Sequence, residues 1–379
     1  MSPNGTARAY MSAMPATHIL SWARDLTGGG VERALLRLAG GWVEAGRQVT
    51  LVVGRVEGPL ATELPVGLSV VEIGATSPRR LVQMLVSEVR AGKPDILFCA
   101  GNTYTAIAAA VRLRLGRSCP PIVAKMSNAV HRGDHNALID WGHGRWLAQH
   151  GRFLDHLVAM TPATATEAAQ ATGMVGRTGA IPNPPPLRRA DAALPPLPPG
   201  KLILGVGRLV AQKRWDRLIA TLPALPGVPL VVLGDGPGRA ALLNQAERLG
   251  VADRVHLPGH ASDPLAVMAQ ATVLALPSDF EGVPGVLREA LSVGTPVVTT
   301  DSSPAVHEIV ATPALGSVVP RDDPEALIAA LRHWLAATAR PSPVPMPGSD
   351  SARRYLDLFD RLTLSGISGE GTGERRSPE

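Results

Sequence analysis

Short apolar runs, each followed by a turn and a stretch of helical periodicity, recur along this chain and constrain its fold more than any other feature. In the first half THILSW, QVTLVV, PDILFCA, PIVAKM and HLVAM are rich in branched side chains, and in the second KLILGV, PLVVLG, RVHLPG, TVLALP and TPVVTT repeat the pattern. Runs of this length bounded by turn residues suit strands buried on both faces. Between them apolar residues recur at helical spacing, as Val31, Leu35, Leu38 and Trp42 do after THILSW. Strand and helix in alternation predict parallel βαβ units. Hydrophobic residues make up 45% of the chain and aromatics only 3%, so Ala, Val and Leu must fill the interior, as helices packed on a sheet allow.

A chain of 379 residues exceeds the size of one ordinary hydrophobic core. Its clearest boundary is IPNPPPLRRADAALPPLPPGK, residues 181–201, where dense prolines forbid regular structure and favour a stiff connection. The expected organisation is a Rossmann-like domain over residues 1–185, a proline-rich linker over 186–200 and a second Rossmann-like domain over 201–345. A helix over 346–363 is expected to cross back to the first domain, and the polar, glycine-rich residues 364–379 read as a disordered tail. The fold class is therefore α/β, with two doubly wound domains facing a central cleft. Such sheets bind ligands beyond the C-terminal ends of their strands.

Charge is uneven: residues 1–185 carry a net +6 and the remainder −1. A basic first half suits an anionic partner such as an acidic membrane surface, a phosphorylated acceptor or nucleic acid, and ordinary solubilising charge explains it equally well. Nucleic acid is set aside, because the arginines are scattered and no helix-turn-helix or zinc-finger spacing occurs. No run approaches the roughly 18 apolar residues of a spanning helix, and the first twenty residues lack a leader pattern. The expected location is cytoplasmic, with peripheral contact at the inner face of the membrane. Cys99 and Cys119 are too few for a disulfide framework or a zinc site, and Cys99 reads as a buried, inert thiol.

Four loops after predicted strands hold more than a turn needs. In RDLTGGGVERALL, Gly28 to Gly30 precede a helix start, where free N–H groups and the positive dipole end favour an anion. The G-x-G-x-x-G and G-x-x-x-x-G-K-[ST] fingerprints are absent, which counts against a dehydrogenase or an NTPase. In GVGRLVAQKRWDRLI, Arg208 and Lys213 either grip a diphosphate or are solvated surface charges. In VVLGDGPGRAALL, Asp235 and its glycines read as a turn with a helix cap, and the following loop, with Gly259 and His260, is placed to present backbone to a nucleobase. In DFEGVPGVLREALSVGTPVV, Glu281 lies in a loop, Pro284 suits a first helical position and Glu289 falls inside the helix. Their separation lets the two carboxylates meet different parts of one elongated ligand.

GRLVAQKRWDRLI, VLGDGPGRAALLNQAERLGVADRVHLPGH, EGVPGVLREALSVGTPVVTTD and GSVVPRDDPEALIAAL, in that order, resemble the C-terminal domain of the retaining glycosyltransferases of family four, which have the two-domain GT-B fold. GGGVERALL, KPDILF and IPNPP match weaker N-terminal signposts, so the resemblance covers most of residues 17–336. It implies a UDP-, GDP- or ADP-sugar donor as co-substrate, no further cofactor and no metal. It also implies a glycan or lipid-linked acceptor on the first domain. By position, Arg208 and Lys213 would hold the diphosphate, Glu281 would lie beside the transferred sugar, and Glu289 would take the ribose hydroxyls. Gly259 and His260 would flank the base, Val283, Pro284 and Gly285 would offer backbone to sugar and phosphate, and Gly29 and Gly30 would approach the diphosphate from the first domain.

The chain departs from that family after PIVAKM, where a histidine is common. Here stand Ser127 and Asn128, with His131 and His135 beyond; Asn128 replaces the histidine, or His131 supplies it. Ser302 and Ser303 replace a glycine pair after TTD, and Asn102 and Tyr104 either face an acceptor or cap and pack. Two other readings stay open: a binding or scaffold protein of the same shape that has lost turnover, and a sugar-nucleotide epimerase.

Overall fold

The computed structural model describes residues 15–130, 137–186 and 194–367. Their elements run β1 (His18–Asp25), α1 (Gly30–Glu44), β2 (Gln48–Arg55), β3 (Ser69–Glu72), α2 (Pro78–Gly92), β4 (Ile96–Cys99), α3 (Thr105–Leu115), β5 (Ile122–Lys125), α4 (Ala137–Leu147), β6 (His156–Ala159), α5 (Pro162–Thr172) and β7 (Thr178–Ala180). After the proline-rich segment come β8 (Ile203–Val206), α6 (Trp215–Thr221), β9 (Leu230–Leu233), α7 (Arg239–Arg248), β10 (Val255–Gly259), α8 (Pro264–Gln270), β11 (Val273–Leu276), α9 (Gly285–Ser292), β12 (Val297–Thr300), α10 (Pro304–Ile309), β13 (Gly316–Val319), α11 (Pro324–Ala336) and α12 (Ser351–Ile367).

The strands form a seven-stranded sheet in the order β3-β2-β1-β4-β5-β6-β7 and a six-stranded sheet in the order β10-β9-β8-β11-β12-β13. Pairing is parallel: Leu20 faces Thr50 of β2 on one side and Leu97 of β4 on the other. In the second sheet Ile203 faces Leu230 of β9 and Val273 of β11. Each order reverses at its first strand, which places a topological switch point between β1 and β4 and another between β8 and β11. The central strands β4, β5, β8, β9, β11 and β12 are buried almost throughout, as their unbroken apolar runs require. The strands that the sequence pattern does not announce are β3, β7 and β13. All three are sheet edges with mostly half-buried residues, so half the hydrophobic signal is missing.

The two sheets divide at the proline-rich segment, but compactness divides the described chain elsewhere. Of the described residues, 15–125, 152–156 and 350–367 gather into a first unit, and 126–130, 137–151, 157–186 and 194–349 into a second. The border shifts to Lys125 because the residues after β5 pack with a loop of the second sheet: a Cβ on Gly282 would lie 2.4 Å from the Ser127 carbonyl oxygen. In the first unit α12 crosses α1 closely, since a Cβ on Gly41 would stand 2.6 Å from that of Ala352. Four of the chain's few aromatic rings meet there edge to face, Trp42 with Phe98 at 5.1 Å, Trp42 with Phe359 at 5.3 Å and Phe98 with Tyr355 at 5.3 Å. α12 also runs to Ile367, four residues into the stretch expected as tail from 364. A helix once nucleated extends one bond per residue, so its end need not fall where the polar composition begins.

Candidate functional site

The switch point of the second sheet lies between the loop after β8 and the loop after β11. The first loop leaves the sheet through Gly205 and Gly207, because Trp215 fills the space a side chain would need: a Cβ on Gly205 would lie 2.7 Å from the indole. Trp215 Nε1 donates to the Arg208 carbonyl at 2.9 Å and so pins the loop from below. Arg208 is left exposed, with no ion pair among the described residues. The second loop presents Glu281, only 7% exposed. Its buried carboxylate accepts from Lys213 Nζ at 2.5 Å and from Ser278 Oγ at 2.6 Å, both at Oε1. Burying a carboxylate without such partners would cost several kcal/mol. The two loops are tied by further bonds, Gln212 Nε2 to the Phe280 carbonyl at 2.7 Å and Arg214 and Arg217 to Asp279 at 3.1 and 2.8 Å. Arg214, in left-handed backbone, is held charged chiefly by its hydrogen bond to Asp216.

The glycine loop after β9 lies against the first loop. A Cβ on Gly234 would come within 2.1 Å of the Gly207 carbonyl oxygen, and one on Gly236 within 2.6 Å of that of Leu209. The carbonyl of Asp235 accepts from Leu209 N–H at 2.9 Å. These glycines therefore set the height of the backbone that carries Arg208. Gly259 at the end of β10 receives Gly234 N–H at 2.8 Å, and His260 beside it is exposed.

α9 opens at Gly285 with Pro284 as its cap residue, one position later than expected for the proline. Glu289 folds back along its own helix, with Oε1 3.9 Å from where a Cβ on Gly285 would stand, so its carboxylate lies toward the positive helix end. Val283 and the exposed Asn128 line one small pocket with Glu281 and Met160. Asn128 is thus brought to the Glu281 loop, whereas His131 lies outside the described residues. The two serines have separate tasks. Ser303 caps α10 by accepting Ala305 N–H at 3.1 Å, and the Ser302 carbonyl accepts Glu281 N–H at 2.9 Å.

Gly29 and Gly30 stand on the first unit, at the N-terminus of α1. Asn102 opens a short turn after β4 and its carbonyl accepts from Thr105 Oγ1 at 2.8 Å. Tyr104 is buried and donates to Glu32 at 2.8 Å. Cys99 is buried too, and burial pushes its thiol up to about 12. Sequence reasoning missed Ser278, Arg214 and Asp279. Serine, arginine and aspartate in a polar loop carry no periodic signal, and only proximity across 65 residues or more joins the last two.

The sequence model of the group 1 glycosyl transferases matches residues 190–342, and that of Glycosyltransferase Family 4 matches residues 28–189. The chain belongs to the group 1 glycosyltransferases. Among its relatives, the exopolysaccharide phosphotransferase SCO2592 of Streptomyces coelicolor is 34% identical over 52% of the chain and 21% of the relative. The lipopolysaccharide glucosyltransferase WaaG of Escherichia coli is 35% identical over 43% of the chain and 44% of the relative. The chain thus spans less than half the length of these curated relatives. HepE of Anabaena, solved with UDP-glucose, is 18% identical with a TM-score of 0.70, over 93% of this chain and 99% of that one, and shares the GT-B fold.

Proposed function

We propose that this glycosyltransferase is retaining and metal-independent, and moves a hexose from a nucleotide-sugar donor to an acceptor in the assembly of cell-surface polysaccharide, lipopolysaccharide or a lipid-linked glycan. The observation that carries the proposal is the grouping of Arg208, Lys213, Glu281 and Ser278 at the switch point of the second sheet, where doubly wound folds bind nucleotides. The names of WaaG and of the HepE complexes with UDP and UDP-glucose support the donor class. The exposed Arg208 and the Lys213 ammonium take the diphosphate, and its arrival draws Lys213 from a carboxylate toward phosphate oxygens.

As the bond between the anomeric carbon and the phosphate oxygen breaks, the nucleoside diphosphate leaves with the electron pair, and the two cations stabilise its growing charge. The acceptor oxygen bonds to the same face of the sugar, and its proton passes to the departing phosphate oxygen. Ser278 holds the Glu281 carboxylate at the sugar, Glu289 takes the ribose hydroxyls, and the Gly259–His260 turn flanks the base. The cations occupy the role a metal ion fills elsewhere, so chelation with EDTA should leave turnover unchanged. No helix among the described residues is long and apolar enough to cross a membrane, and the basic first half suits peripheral contact with an acidic lipid surface that bears the acceptor.

The test is release of nucleoside diphosphate from UDP-, GDP- and ADP-sugars with a crude acceptor extract. Release from one donor is expected, with Lys213→Ala lowering kcat by about 100-fold or more while the fold persists. No release from any donor would favour a scaffold, and isomerised donor without acceptor would favour an epimerase.

A further inference from the structure

The first unit holds a buried polar cluster that the donor chemistry does not use. α1 has no side-chain cap; Gly29 stands at its cap position, and Glu32 in the first turn folds back so far that a Cβ on Gly29 would lie 2.5 Å from its Oε2. Glu32 Oε1 accepts from the Tyr104 hydroxyl at 2.8 Å, and the phenol oxygen accepts Arg24 N–H at 3.1 Å. Within electrostatic reach of Glu32 lies Lys125, the last residue of β5, 1% exposed and with no hydrogen-bond partner for its Nζ. These groups come from α1 after β1, the turn after β4 and the end of β5. The three strands are neighbours, and the switch point of this sheet falls between the first two.

Charge decides what such a place can take. The free N–H groups of α1 would ordinarily draw an anion, but the Glu32 carboxylate already stands there, and a phosphate would meet a like charge. A hydroxyl group meets no such conflict, because it donates to a carboxylate and accepts from an amine at once. The Lys125 amine is buried and unpartnered and the Glu32 carboxylate is partly exposed, so neighbouring elements at this switch point offer one donor and one acceptor that a single hydroxyl can satisfy. We propose that Glu32, held by Tyr104 and backed by Lys125, binds a hydroxyl of a neutral polyol, the sugar acceptor of the transfer, in preference to a phosphate. The identity of that polyol as acceptor rests on the transferase reading above. Gly29 then serves by lacking a side chain, which makes room for Glu32.

The native full-length chain, Glu32→Gln and Tyr104→Phe would be titrated with the methyl α-glycosides of glucose, galactose and mannose by ligand-observed NMR, with inorganic phosphate as competitor. UDP, GDP and ADP would be titrated by calorimetry on the same samples. At least one glycoside should bind the native chain; its Kd should rise about 10-fold in Glu32→Gln and about 3-fold in Tyr104→Phe, with nucleotide Kd unchanged and phosphate unable to displace it. Displacement by phosphate, equal glycoside affinity in Glu32→Gln, or no glycoside binding would overturn the proposal. Failure of all three nucleotides to bind the native chain would instead overturn the transferase reading, and the glycoside titration would still report on Glu32. Glu32→Gln keeps the shape of a partly exposed side chain, and an unshifted melting curve confirms its fold.

Discussion

Glu281 and Lys213 show how a buried charge pair is satisfied within one loop-to-loop contact. Their 2.5 Å contact satisfies each charge, and Ser278 adds a second bond to the same carboxylate oxygen, which on the proposed function would hold Glu281 in place as Lys213 turned to phosphate. Glu289 is poised differently, half-buried along its own helix, so Glu289→Ala should act on affinity. Its nucleotide Kd, read by calorimetry, is expected to rise about 10-fold with kcat little changed; an intact Kd would remove the ribose assignment. Lys125 carries a pH signature. Burial lowers its amine from the ordinary 10.5 to about 7, against a smaller opposing pull from Glu32. Between those values the unfolded chain binds more protons than the folded one, so this residue makes stability rise with pH from about 7 toward 10.5. Lys125→Met should melt about 3 °C higher than the native chain at pH 7, with the gap narrowing by pH 9.5. A gap that stays constant with pH would show that the amine does not titrate there.

Among elements, α12 packs the core of the first unit, and the glycine loop after β9 packs against the loop that carries Arg208 in the second. α12 follows the second sheet in sequence yet belongs to the first unit, through Tyr355 and Phe359, both fully buried against Trp42 and Phe98. Phe359→Ala should cost about 3–5 kcal/mol by urea denaturation, the usual range for a deleted core ring. The amphipathic pattern of this helix is visible in sequence, but its partner is not, since Gly41, which admits it, lies over 300 positions away. Gly234 has φ 135°, and any side chain there would strike the Gly207 carbonyl. Gly234→Ala is therefore expected to displace the Arg208 loop, weakening nucleotide binding as well as lowering the melting temperature; loss of stability with native nucleotide affinity would separate that loop from the site. The sequence reading took these glycines for a turn. Close backbone approach is a property of two loops, and one loop alone does not reveal it.

For the whole molecule, a nucleotide that binds the folded chain and not the unfolded one should stabilise it by mass action. UDP, GDP or ADP at about 100 times its Kd should add roughly 2.7 kcal/mol, seen as a melting shift that Arg208→Ala with Lys213→Ala abolishes. The order of apolar runs and helical stretches determined two parallel α/β sheets, because a strand buried on both faces must be apolar throughout and leaves that mark in any window of the chain. The same local rules put Arg208, Lys213 and Glu281 in loops after strands and Glu289 inside a helix, while the roles proposed for them on a donor came from the family resemblance. Edge strands, the border at Lys125, the Ser278 and Asp279 contacts and the Glu32–Tyr104–Lys125 cluster were decided only in three dimensions. Each depends on groups far apart in the chain coming within a few ångströms, and hydrogen bonds and charges of that range leave no periodicity for a sequence to display.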